Sequence, residues 1–116
     1  MRRRYRDDQR DVRFEVLDGR LVRTVVLPGG RFYVHRCTRE TFEAVAHGVE
    51  DRAAEGVALD PLAEALDAPA TQVNVALEFL KERGCVANRG RRNYPASIVL
   101  FEDAMGEFCF LRDLPY

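Results

Sequence analysis

No stretch of this 116-residue chain approaches the run of roughly 18 apolar residues that a membrane-spanning helix needs. The first ten residues, MRRRYRDDQR, lack the apolar centre of a secretory signal, so a soluble cytoplasmic protein is expected. Cysteine is sparse and odd in number. Cys37, Cys85 and Cys109 are far apart and form no C-x-x-C pair, which argues against a disulfide framework or a zinc ribbon and reads them as small buried hydrophobes. The two histidines, His35 and His47, fall on a predicted strand and a predicted helix, and no serine or cysteine sits in a nucleophile motif. No enzyme is expected. His35, Cys37 and His47 lack the spacing and the fourth ligand of a structural zinc site, and Gly29-Gly30 lacks the lysine and following helix of a phosphate loop. Neither a metal nor a cofactor is expected.

What is present is one modest core. Apolar residues make up 47% of the chain and aromatic residues 9%, enough for one domain and too little for two. Tyr94, Phe101, Phe108 and Phe110 read as core residues rather than as a ligand box. The net charge of −1 conceals a segregation. Residues 1–36 hold ten arginines against five acids, residues 37–86 hold four basic residues against ten acids, and residues 87–116 balance. The middle of the chain is acidic and the positive charge lies towards its ends, above all in the tail 1–11 with Arg2, Arg3, Arg4, Tyr5 and Arg6.

Residues 12–36 predict strands, because VRFEVL and RLVRTVVL are rich in β-branched residues and are joined by Asp18-Gly19, a strong hairpin signal. Pro28-Gly29-Gly30 breaks the chain before a third strand, RFYVHR. From Thr38, a capping residue, Phe42, Val45, Ala46, Val49 and Ala53 recur at helical spacing until Gly56. Val57-Ala58-Leu59 is a minimal strand. Asp60 as N-cap and Pro61 at the first helical position open a short helix with Leu62 and Leu66 one turn apart. A further helix carries Val73, Ala76, Leu77 and Leu80 in one stripe and stops at Gly84. Cys85-Val86-Ala87, a tip Asn88-Arg89-Gly90-Arg91-Arg92, and Asn93-Tyr94-Pro95-Ala96 form a hairpin with a basic turn. SIVLFED and EFCFLRD, around Ala104-Met105-Gly106, predict a last hairpin at 97–116.

In that order, residues 38–96 resemble the winged helix-turn-helix family found in bacterial transcription regulators. Leu62-Ala63-Glu64 and Leu66 match its second helix, the stripe from Val73 to Leu80 its third, and Gly84, Val86 and the arginine-rich tip its wing. The expected fold is therefore α+β: a winged helix core of three helices with flanking N-terminal and C-terminal β-hairpins. The resemblance implies a DNA-binding regulator, and the apolar surface of the flanking strands implies a homodimer, which suits the paired half-sites such readers bind. Its third helix would enter the major groove of double-stranded DNA with Thr71, Gln72 and Asn74, and Arg89, Arg91 and Arg92 would hold the backbone. Where such helices often carry basic residues on the outer side, this one carries Val75, Glu78 and Phe79. The alternative is a winged helix that binds protein through those three residues instead of DNA. The run Ile98-Val99-Leu100-Phe101 is apolar enough to require a cover, supplied by the N-terminal strands or by a second subunit.

Overall fold

The computed structural model describes residues 10–115; the arginines of the tail expected at 1–11, apart from Arg10, lie outside the described residues. The chain opens with β1 (Asp11–Leu17), β2 (Arg20–Val26) and β3 (Phe32–Cys37), an antiparallel sheet in the order β1-β2-β3. Asp18 and Gly19 both have positive φ, 52° and 74°, which is the two-residue turn whose twist suits a hairpin. Registered partners share a face. Val16, Leu21 and Cys37 therefore form one inward row, Phe14, Arg23 and His35 the next, and Val12, Val25 and Tyr33 the third.

Three helices follow: α1 (Arg39–Asp51), α2 (Leu59–Leu66) and α3 (Ala70–Glu82). The Thr38 hydroxyl caps α1 by accepting from the Thr41 amide at 3.1 Å. Helix α1 buries Phe42, Val45, Ala46, Gly48 and Val49, and a Cβ added at Gly48 would lie 2.8 Å from Leu62 Cδ1, so glycine sets how closely α1 and α2 approach. Helix α2 starts earlier than expected. Ala58, not Asp60, is its N-cap, and the Ala58 carbonyl accepts from the Leu62 amide at 3.1 Å. Asp60 and Pro61 both sit in the first turn, where an acid suits the helix dipole and an amide hydrogen is not needed. Helix α3 ends as expected, with Gly84 at φ 76° and the Cys85 amide donating to Leu80 O at 2.9 Å.

The β-hairpin of β4 (Val86–Arg89) and β5 (Arg92–Pro95) comes next. Val57 pairs with Asn93 through two backbone hydrogen bonds of 3.1 and 2.8 Å, so the minimal strand exists as a single bridge. The Asn93 side chain, 3% exposed, donates to Val57 O at 3.0 Å and accepts from Asn88 Nδ2 at 3.1 Å, which ties the hairpin to the helices.

The C-terminal hairpin expected at 97–116 is not formed: residues Leu100–Arg112 are a fourth helix, α4, so the described residues hold four helices and two small antiparallel sheets. Leu100, Ala104, Phe108 and Leu111 are its buried residues, a helical spacing that the β-branched and aromatic composition of the segment masks. Helix α4 packs on α1 and β1, and the Glu50 carboxylate accepts from the Phe101 amide at 3.2 Å. The second half of the apolar run is covered within the chain itself: Leu100 is buried and the Phe101 ring stacks on His47 at 3.8 Å, while Ile98 and Val99 stay exposed, at 96% and 40%. The need for a second subunit to cover Leu100 and Phe101 therefore falls away. Of the aromatic residues read as core, Phe108 is buried, Tyr94 and Phe101 are half-buried and Phe110 is exposed.

Four rings link the layers. Phe14 of β1 meets Phe79 of α3 at 5.3 Å, Phe79 meets Phe42 of α1 at 5.9 Å, and Phe42 meets Phe108 of α4 at 5.1 Å.

Candidate functional site

The side of α3 that was expected to face a partner faces the sheet instead. Val75 and Phe79 are both 0% exposed, because the three-stranded sheet lies across that side of the helix and α3 packs against β3 and β2. Neither residue is available as a contact surface for another protein. Val73, Ala76, Leu77 and Leu80 are buried as well, so α3 is held between the sheet and the first two helices.

What α3 leaves open is a narrow stripe of Thr71, Asn74, Glu78 and Glu82 at helical spacing. Thr71 is exposed in the first turn and Asn74 is half-buried. Gln72 is already engaged: its Oε1 accepts from the Thr38 amide at 3.0 Å and so helps to hold the start of α1. Glu78 and Lys81 form an ion pair, each side chain about one-third exposed. Glu82 has the Arg83 guanidinium at 3.5 Å.

The hairpin arginines are all exposed. Arg89 lies over the Tyr94 ring at 4.3 Å, and Arg92 donates to the Glu55 carbonyl at 3.0 Å, so both are drawn towards the body of the molecule. Arg91 stands at the turn beside Gly90, whose φ is 62°.

On the sheet, β3 is an outer strand with no further strand beside it among the described residues. Every second residue of such a strand turns its N–H and C=O away from its neighbour, leaving them for water or for another chain. Phe32 is 66% exposed at its start, and Arg31 and Arg36 are exposed near its two ends. The opposite edge differs: β1 has α4 packed beside it, with Leu111, Leu114 and Pro115 grouped around Phe14, Glu15 and Val16.

Sequence reasoning missed a cleft between the inner face of the sheet and the second half of α3. Val12, Phe14, Arg23, Glu78, Lys81 and Glu82 line a space of about 420 Å³. Arg23 is 9% exposed and its Nε is buried with no hydrogen-bond partner among the described residues. The signal was available, since Arg23 has the same parity as Leu21 and Val25 in β2 and so had to point inward with them.

Burial quiets two of the three thiols. Burial pushes the Cys37 thiol up to about 12, and its Sγ donates to the Thr38 carbonyl at 3.3 Å. Cys85 is also pushed up, by burial first and then by the nearby Glu107 and Asp103 carboxylates, with Arg83 acting in the opposite sense. Cys109 is half-buried rather than buried. Among the described residues no three histidine, cysteine or acidic side chains are grouped as metal ligands, and no helix is long and apolar enough to cross a membrane.

In comparisons with known proteins, no family model matches the chain, and no curated protein and no solved structure matches it.

Proposed function

We propose that the chain is a winged helix module, with α1 to α3 as its helices and the β4–β5 hairpin as its wing, that binds an extended, acidic polypeptide segment along the outer edge of β3. The observation that carries this reading is the open edge itself: a six-residue strand in which every second residue turns its backbone groups away from β2, an exposed Phe32, and arginines at either end. An added strand gains main-chain hydrogen bonds along that edge, and its acidic side chains meet Arg31 and Arg36. Helix α3 is a poor groove reader by comparison, since nucleic-acid affinity comes largely from neutralising phosphates and its open stripe carries Glu78 and Glu82 with the one lysine already paired.

A specific observation favours a second reading, DNA binding by a dimeric regulator: Arg89, Arg91 and Arg92 are all exposed around one turn. In that reading Thr71 and Asn74 face the groove and the three arginines hold phosphates. One pair of titrations separates the two. A panel of acidic and neutral extended peptides is titrated with the β3 amides followed by NMR, and a mixed-sequence duplex is titrated at low and moderate salt. The peptide reading expects the β3 amides to shift and to gain protection from exchange with the acidic members only. Silent β3 amides, together with duplex binding that falls steeply with salt and is lost when Arg89, Arg91 and Arg92 are all changed to alanine, would replace it with the DNA reading.

A further inference from the structure

We infer that the cleft between β1, β2 and α3 is a binding site for a monocarboxylate with an apolar body, and that Arg23 is the residue that holds its charge. This inference concerns the inner face of the sheet and stands apart from whatever occupies the β3 edge.

A buried donor without a partner in the cleft points to the ligand. Glu78 pairs with Lys81, and Glu82 has Arg83 beside it at 3.5 Å, a guanidinium that also lies 3.6 Å from Glu107. Arg23 has no ion-pair partner among the described residues, and its buried Nε has no acceptor. An N–H removed from water in this way carries a standing cost that a carboxylate relieves, through two parallel N–H···O bonds along the fork. The lining carries two basic and two acidic side chains, so a phosphate dianion would bring more negative charge against Glu78 and Glu82 than a carboxylate does.

The walls specify the rest of the molecule. Val12 and Phe14 line the same space and offer apolar surface for a hydrocarbon or aromatic body. The volume of about 420 Å³ lies in the range of small-ligand pockets and exceeds what a bare acetate fills. Two sources supply this chemistry, a free small acid or a glutamate side chain flanked by apolar residues in a polypeptide.

The test follows the Arg23 Nε–Hε signal and the Val12 methyl signals by NMR during titration of the full chain with 3-phenylpropionate. Its neutral counterpart 3-phenylpropanamide and the dianion phenyl phosphate are the controls. The expected result is a saturable shift with the carboxylate, at least about tenfold weaker binding of both controls, and a similar loss with Arg23→Lys, which keeps the charge and removes the fork. Arg23→Met is expected to abolish the Val12 shifts while leaving the rest of the spectrum folded. A capped pentapeptide, Gly-Val-Glu-Val-Gly, and its glutamine counterpart identify the source: saturation by the glutamate peptide below the phenylpropionate concentration assigns the cleft to a polypeptide side chain, and the reverse order to a free acid. Equal shifts with acid and amide, preference for phenyl phosphate, or an Arg23→Met chain that still responds would each overturn the inference.

Discussion

Phe79 decides between two pictures of α3, and its truncation separates them by a wide margin. If the residue stood on an outward face, Phe79→Ala would change stability by no more than about 0.5 kcal/mol, the usual range of surface substitutions. It is 0% exposed instead, with the Phe14 ring at 5.3 Å and 64°, the Phe42 ring at 5.9 Å and 61°, and the Arg83 guanidinium 5.3 Å from its centre. Removing a buried phenyl ring costs about 3–5 kcal/mol through lost transfer energy and the cavity left behind. At this chain length that corresponds to a fall of roughly 12–20 °C in Tm. Because such a loss approaches the whole stability of a small domain, Phe79→Leu serves as the milder companion, with an expected cost of about 1–2 kcal/mol. A double-mutant cycle with Phe14→Leu then isolates the ring pair, for which the edge-to-face geometry predicts a coupling of about 0.5–1.5 kcal/mol. Urea unfolding followed by circular dichroism gives all of these values. An alanine variant within about 0.5 kcal/mol of the parent would refute the placement of the sheet across α3.

Asn93→Ala is expected to cost about 1–3 kcal/mol, because Val57 O and Asn88 both lose a partner in a buried setting, and a shift in the urea midpoint measures it. Arg23→Met is expected to raise that midpoint, by about 1–2 kcal/mol in free energy, since it removes a buried donor that has no acceptor; a lower midpoint would show that the guanidinium is satisfied in solution. Cys37, raised from 9.0 to about 12, holds its proton in the folded chain while the unfolded chain releases it, so its contribution to stability is complete below pH 9.0 and is lost as pH rises towards 12. Unfolding free energy is expected to fall with pH in that window by up to about 1.4 kcal/mol per pH unit from this thiol, and Cys37→Ala is expected to flatten the slope.

Where a segment's local signals agreed with its packing, the sequence was legible. Asp18-Gly19 between two β-branched runs, Thr38 before an amphipathic stripe, and Gly84 after Leu80 each have one cheap local conformation, and the structure uses it. The segment from Ile98 to Leu111 failed for the opposite reason. Its valine, isoleucine and phenylalanines favour strand, and Gly106 reads as a turn, yet burying Leu100, Ala104, Phe108 and Leu111 against α1 and β1 outweighs those preferences. At the candidate site the arginines of the hairpin tip are exposed, as their polar surroundings suggested. The open edge of β3 and the cleft around Arg23 depend on which strand lies outermost and on what lies across α3, and both are long-range facts.

The order of strands and helices up to Pro95, the caps at Thr38 and Gly84, the Asp18-Gly19 turn, and the division of charge along the chain were determined by the sequence alone, because each depends on residues within a few positions of one another. Only the tertiary structure decided that the sheet covers Val75 and Phe79, that α4 is a helix, and that Arg23 is buried without an acceptor. Those outcomes depend on which apolar surfaces meet, and burial between distant segments is a sum over contacts that no local window contains.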